Sequence, residues 1–142
     1  MPEAYTQNNH YIVAGDPHAP HILLHALSES PEPAIRTRVA ENPATAVSTL
    51  VTLLADEHPD VRIGLTYNPS LPVSFLHDLA NDPHPDVRYA VAESPHVPKP
   101  ILVCLWSDEN PYVANRAQRT LERIANSTEV WQPLNQHFNA AA

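Results

Sequence analysis

The spacing of the prolines is the strongest constraint on how this chain can fold. It contains 16 prolines in 142 residues, and two series of them recur every 26 residues. The first series is Pro17, Pro43, Pro69 and Pro95, and the second is Pro33, Pro59, Pro85 and Pro111. Three apolar series keep the same step: Leu24, Leu50, Leu76 and Leu102; Leu27, Leu53, Leu79 and Leu105; and Ile35, Val61, Val87 and Val113. So many positions in phase predict internal structural repeats.

Each unit is predicted to contain two short helices and no strand. The first helix is expected to begin at about Pro20, Ala46, Pro72 or Pro98, and the second at Pro33, Pro59, Pro85 or Pro111. Proline favours the first helical position, and it disfavours helix at the residue before it. The paired leucines lie three residues apart and so share a helix face. Helices this short are unstable alone, so we expect an all-α solenoid in which neighbouring units stack.

The repeat also predicts the domain organisation. We expect one helical-repeat domain over residues 1–142, with a partial unit at 11–16 and a C-terminal cap at 121–142. The four repeats are 17–42, 43–68, 69–94 and 95–120. The last helix is expected to be long, because no proline interrupts Val113 to Ala125. Trp131 is predicted to fold over the last repeat, with Trp106 packed against that cap, since a solenoid must cover its end faces.

Three segments resemble the leucine-rich repeat variant family, which is related to HEAT and armadillo repeats. They are Val39-Ala40-Glu41-Asn42-Pro43, Val91-Ala92-Glu93-Ser94-Pro95 and Asp82-Pro83-His84-Pro85-Asp86-Val87-Arg88. The resemblance covers roughly residues 11–120 and implies a right-handed superhelix of α- and 3₁₀-type helices. Some members carry an iron–sulfur domain with clustered cysteines. This chain has only Cys104, so we expect no cofactor.

Composition restricts the classes of partner. Sixteen acidic against eight basic residues give a net charge of −8, which disfavours nucleic acid and anionic membranes and favours a protein or a basic peptide. The single cysteine cannot form an internal disulfide, and the first ten residues do not have the pattern of a signal peptide. We therefore expect a cytoplasmic protein that neither spans nor binds a membrane.

A repeated arginine is predicted to be structural. Arg36, Arg62 and Arg88 recur every 26 residues, and Asp56 and Asp82 recur with them. One interpretation is a positive stripe for an anionic ligand. We favour the other, in which the arginines pair with aspartates between helices, because such charge-assisted hydrogen bonds are directional and fix the packing angle.

Departures from the repeat on the second helices predict the binding surface. If Ile35, Val39 and their equivalents face the core, Ile63, Tyr67 and Tyr89 point outward where polar residues would be expected. Exposed apolar and tyrosine side chains with a charged rim are typical of interaction sites, and Glu41 and Glu93 would attract a basic partner. The alternative is that the assumed helix phase is shifted, so that these residues belong to the core.

The histidines give a second hypothesis. His18, His21 and His25 lie three and four residues apart and could share one helix face, as ligands of Zn²⁺ or Ni²⁺ do. Pro17 and Pro20 argue against a helix at His18, so these residues are weak candidates and we expect no native metal site. His58 and His84 precede a helix-starting proline, and we expect them to cap those helices.

No arrangement of nucleophile, base and acid is recognisable, and two glycines are too few for a phosphate-binding loop. We therefore expect a non-catalytic protein–protein interaction module, an adaptor or scaffold, that binds its partner on the second helices. The alternative is a repeat protein that binds a metal or small ligand through its first unit. A nucleic-acid-binding HEAT-like protein is a third hypothesis, which the acidic composition disfavours.

Overall fold

The computed structural model describes residues 2–129, and all of its regular structure in that range is helical. Nine helices follow one another there without a strand: α1 (Pro2–Ala14), α2 (His21–Leu27), α3 (Pro33–Glu41), α4 (Val47–Leu53), α5 (Pro59–Thr66), α6 (Val73–Ala80), α7 (Pro85–Glu93), α8 (Lys99–Leu105) and α9 (Pro111–Glu129). The prediction of an all-α chain is therefore confirmed for the described residues. Their order is compatible with four two-helix repeats.

The second helices, α3, α5, α7 and α9, begin at the prolines that the sequence indicated. The first helices, α2, α4, α6 and α8, begin one residue later than predicted. Pro20, Pro72 and Pro98 are the N-caps of their helices, with ψ of 143°, 139° and 137°. An N-cap residue has an extended backbone, which proline accommodates as well as the first helical position.

The odd-numbered helices pack side by side in the order α1, α3, α5, α7, α9. Each first helix contacts the second helix that follows it, as α2 does α3 and α8 does α9. The series of leucines and of Ile35, Val61, Val87 and Val113 are all buried between these helices, with at most 9% of any residue exposed. The core assignment is therefore confirmed.

The ends of the chain differ from the central units. The N-terminal helix α1 is longer than the partial unit predicted at 11–16, and α9 continues to Glu129, as its lack of prolines indicated. Trp131 lies outside the described residues, and so does most of the predicted C-terminal cap. Trp106 is the C-cap residue of α8 and is 51% exposed.

Candidate functional site

Arg–Asp pairs join successive units beneath the exposed surface. Arg36 Nε donates to Asp56 Oδ2 over 2.7 Å, and its Nη2 donates to Asp56 Oδ1 over 3.1 Å. The same two-pronged contact recurs between Arg62 and Asp82 and between Arg88 and Asp108. The structural interpretation of the arginines is therefore confirmed, and the partner is the aspartate 20 residues further along the chain.

Each arginine also donates a hydrogen bond from Nη1 to a backbone oxygen in its own unit. Arg62 Nη1 donates to the backbone oxygen of Asp56 over 2.6 Å, and Arg88 Nη1 donates to that of Asp82 over 2.8 Å. Each arginine therefore links the loop before its helix to the corresponding loop of the next unit. These contacts account for the three arginines, so they are not a stripe for an anionic ligand.

The three aspartates have pKa values below the ordinary value of 3.8. Burial alone would raise the pKa of Asp82. Hydrogen bonds from Arg62 and from the backbone N–H of His84, with the positive charge of Arg62, lower that pKa by more than burial raises it. The carboxylates are therefore ionised partners of the arginines near neutral pH.

A second ladder joins the ends of the second helices. Asn68 Nδ2 donates to the carbonyl oxygens of Ala40 (2.7 Å) and Asn42 (2.9 Å) in the preceding unit. Asn42 makes the equivalent pair of contacts to Ala14 and Asp16, each over 2.8 Å. The sequence showed a small polar residue at this position but did not indicate its role, because the acceptors are backbone oxygens 26 and 28 residues away.

His58 and His84 act as helix caps, as predicted. Nδ1 of His58 accepts from the backbone N–H of Asp60 over 3.3 Å, and Nδ1 of His84 accepts from that of Asp86 over 3.2 Å. The cap uses the unprotonated ring nitrogen, since only that nitrogen can accept a hydrogen bond.

The exposed side of α3, α5, α7 and α9, which we call the second-helix face, carries the predicted binding residues. Tyr67 is 54% exposed and Tyr89 is 36% exposed, so both are accessible to a partner. Ile63 differs from the expectation, because it is only partly exposed and packs against the core. A Cβ atom added at Gly64 would lie 3.1 Å from the carbonyl oxygen of Thr37, so α5 approaches α3 closely there. The neighbouring residue Ile63 is therefore half-buried between the two helices.

Glu93 organises the centre of the second-helix face. Its Oε1 accepts from the Tyr67 hydroxyl over 3.4 Å, and its Oε2 lies 3.4 Å from Arg116 Nη2. Burial raises the pKa of the Tyr67 hydroxyl, and the carboxylates of Glu93 and Glu41 raise that pKa further. The sequence suggested that Glu93 is free to attract a basic partner, but in the structure Arg116 already neutralises part of its charge.

Glu41 lies at the side of the face nearer the N-terminus. A shallow depression of about 510 Å³ between α3 and α5 is lined by Tyr11, Thr37, Glu41, Asp60 and Ile63, among others. Arg38 also lines it, and its guanidinium stacks 4.9 Å from the centre of the Tyr11 ring. Two carboxylates, an aromatic ring and a half-buried isoleucine therefore line the same depression.

The opposite side of the face holds residues that the sequence prediction missed. A depression of about 550 Å³ is lined by Tyr89, Pro111, Tyr112, Asn115, Arg116 and Arg119. Tyr112 is 78% exposed, and Arg119 is also exposed. Among the residues whose side chains the structure describes, four tyrosines lie at exposed positions along the row of odd-numbered helices: Tyr11, Tyr67, Tyr89 and Tyr112. Tyr11 could have been found from the sequence because it shares its repeat position with Ile63 and Tyr89, and Tyr112 because its equivalents are Ala34, Asp60 and Asp86.

A third, more apolar groove of about 630 Å³ lies beside Tyr67. Its walls come from the turns after α5 and α7 and from α6, and they include Leu71, Val73, Pro95 and Val97. Glu93 and Tyr67 line it as well, so the apolar groove is continuous with the second-helix face.

The first-unit histidines do not form a metal site in the part of the chain that the structure describes. His18 precedes α2, whereas His21 and His25 are on it. No group of three or more His, Cys, Asp or Glu side chains with metal-binding geometry occurs within residues 2–129. His25 Nδ1 instead lies 3.3 Å from the Thr49 hydroxyl on α4.

Comparisons with known proteins found no match to the chain among family models, curated proteins or solved structures. Among the described helices, none combines the length and the apolar composition that crossing a membrane requires.

Proposed function

We propose that this chain is a non-catalytic protein–protein interaction module, an adaptor or scaffold of the cytoplasm, that binds its partner on the second-helix face. The observation that carries this proposal is the exposure of two tyrosines on one face: Tyr67 beside the Glu93 carboxylate and the apolar groove, and Tyr89 at the depression by α9. Tyrosine is favoured in binding hot spots because its rigid ring buries a large area while its hydroxyl hydrogen-bonds.

The contrast between the two sides of the second helices supports the same proposal. On their buried side the same kind of residue recurs in each unit: Ile35, Val61, Val87 and Val113 all pack in the core. On the exposed side the equivalent positions are Glu41, Tyr67, Glu93 and Arg119, where Tyr67 and Arg119 depart from the two glutamates in charge and shape. Packing does not require a tyrosine or an arginine at this exposed position, so these departures support a role in recognising a partner.

A quantitative pull-down from a lysate of the source cells tests the proposal. The Tyr67→Ala/Tyr89→Ala double variant is compared with the wild-type protein and with Val51→Ala/Val103→Ala, which removes exposed apolar side chains from α4 and α8. We expect the tyrosine variant to lose specific partners that the valine variant keeps. Equal recovery by all three proteins, or no capture above an unrelated bait, would contradict the proposal.

We also propose that the helices form a right-handed solenoid related to the leucine-rich repeat variant family, with each 26-residue segment as one unit. Support comes from the contacts that repeat in register: Arg–Asp pairs 20 residues apart, and asparagine contacts that reach back 26 and 28 residues.

Deletion of residues 69–94 tests the repeat directly. In a solenoid the flanking units would rejoin in register, and Arg62 would meet Asp108 as it now meets Asp82. We expect a shortened chain that still unfolds cooperatively with proportionate helical circular dichroism, though at a lower temperature. Deletion of residues 69–81, half a unit, is the matched control and should abolish folding. Loss of folding in both would mean that 26 residues are not an independent unit.

A further inference from the structure

The two sides of the second-helix face carry opposite charge. The depression between α3 and α5 includes the carboxylates of Glu41 and Asp60, and Arg38 beside them is stacked on Tyr11. The depression at α9 includes Arg116 and Arg119. Tyr67 lies between them, influenced by Glu41 on one side and by Arg116 on the other.

The positive charge at α9 is only partly neutralised by contacts within the chain. Arg36, Arg62 and Arg88 are held in two-pronged contacts with aspartates. Arg116 lies near Glu93, but its Nε is buried and has no hydrogen-bond partner in the structure. Arg119 is exposed at the same depression. Arg38 on α3 also has a buried Nε without a hydrogen-bond partner, but it shares its depression with the carboxylates of Glu41 and Asp60. The depression at α9, by contrast, has two arginines and no carboxylate among its lining residues.

We propose that the partner is a peptide segment with separated charges, basic where it crosses α3 and α5 and anionic where it reaches α9. This proposal rests on the proposed function and specifies the chemistry of its partner. A carboxylate or phosphate between Arg116 and Arg119 would receive charge-assisted hydrogen bonds from two guanidinium groups, with the rings of Tyr89 and Tyr112 beside it. A lysine or arginine would meet the carboxylates of Glu41 and Asp60 beside the stacked Arg38 and Tyr11 side chains.

The helix spacing sets the distance between the two charged ends of the segment. Packed helices lie about 8–10 Å apart, so two depressions separated by two helices lie roughly 16–20 Å apart. An extended chain advances about 3.3–3.6 Å per residue, so about five or six residues separate the basic end from the anionic end. Apolar or aromatic residues between them would lie over Tyr67 and Tyr89.

Selection from a random-peptide display library tests the proposal without a known partner. Wild-type protein is compared with Arg119→Glu, with the matched control Arg123→Glu one turn further along α9, and with Glu41→Lys. We expect wild type and Arg123→Glu to enrich peptides with acidic and basic residues about five or six positions apart. Arg119→Glu should lose the acidic preference and Glu41→Lys the basic one. For single peptides we expect a change in Kd of roughly two- to fivefold per exposed charge.

The selection separates failure of this inference from failure of the proposed function. Enrichment of uniformly basic or uncharged peptides that Tyr67→Ala/Tyr89→Ala no longer binds would overturn the charge pattern but leave the interaction surface in place. An acidic preference unchanged by Arg119→Glu would also overturn it. Enrichment identical on the tyrosine double variant, or none at all, would count against both. Synthetic versions of the enriched peptides with glutamate or phosphotyrosine at the anionic position then distinguish a carboxylate from a phosphate ligand.

Discussion

The interior of the helix packing and the second-helix face follow the same 26-residue period but use it differently. In the interior the apolar series keep leucine, isoleucine or valine in all four units, and the arginine makes the same contact in the first three. Arg62 meets Asp82 over the same 2.7 Å as Arg36 meets Asp56. On the face, Glu41 and its equivalent Tyr67 differ in charge and shape. The repeated side chains make the packing contacts, and the proposed binding surface lies where the side chains depart from the repeat.

Removal of a core leucine should give the largest effect. Leu79 is 1% exposed, and Leu79→Ala deletes its packing contacts and leaves a cavity. We expect the free energy of unfolding to fall by about 2–5 kcal/mol, measured by urea denaturation. Leu76→Ala should be similar, whereas Val103→Ala on the exposed side of α8 is the control. Unchanged unfolding of both leucine variants would contradict the core assignment.

Breaking one rung of the Arg–Asp ladder should cost somewhat less. Asp82→Ala leaves the Arg62 guanidinium without its carboxylate in a site where the Arg62 side chain is only 12% exposed. We expect a loss of about 2–3 kcal/mol, below the range for fully buried pairs. The double variant Arg62→Met/Asp82→Leu should recover part of that loss, since it leaves no unpaired charge. A double variant less stable than Asp82→Ala would show that the rung is needed for packing as well as for charge.

Truncation of the asparagine ladder should have a smaller effect. Asn68→Ala leaves the carbonyl oxygens of Ala40 and Asn42 without their donor at a site where Asn68 is 5% exposed. We expect a loss of about 1–2 kcal/mol in the free energy of unfolding. Asn126→Ala, an exposed asparagine of α9, is the control. Equal stability of the two variants would mean that water hydrogen-bonds to the two carbonyl oxygens in place of the Asn68 side-chain amide.

Acidification should weaken the interior gradually. Because the pKa values of Asp56, Asp82 and Asp108 are lowered on folding, their stabilisation is present above the ordinary pKa of 3.8 and is lost as pH falls through the folded values. We expect stability to decline below about pH 5, measured by thermal melting across a pH series. The arginines stay charged throughout this pH range, so they add no pH dependence to the free energy of unfolding. In Asp82→Asn the decline should be shallower, and an unaltered slope would contradict the assignment.

The smallest effect on stability should come from the second-helix face. Tyr89 is 36% exposed, so we expect Tyr89→Ala to change the free energy of unfolding by less than about 1 kcal/mol. If Tyr89→Ala also loses most of its partner binding, the result would show that Tyr89 contributes to binding and not to stability. A loss as large as that of Leu79→Ala would instead place Tyr89 in the core.

Much of the fold could be predicted because its signals are local or periodic. Proline marks the helix starts through its fixed φ, and leucines three apart mark the buried face. The first helices begin a residue later than expected because the residue predicted to start each one, proline in three of them and Ala46 in α4, is the extended N-cap. The candidate site was harder to predict. Tyr67 and Tyr89 followed from helix phase, whereas Ile63 is half-buried because α5 approaches α3 closely at Gly64.

The sequence by itself determined that the chain is helical, where the second helices begin, the caps at His58 and His84, and the buried leucine and Ile/Val series. Each of these depends on backbone geometry or on the period of a side-chain pattern. Only the tertiary structure decided which aspartate each arginine meets, which carbonyl oxygens Asn42 and Asn68 bind, and that Arg116 neutralises part of the Glu93 charge. Those contacts join residues 20 or more positions apart, and their formation depends on how closely and at what angle the helices pack.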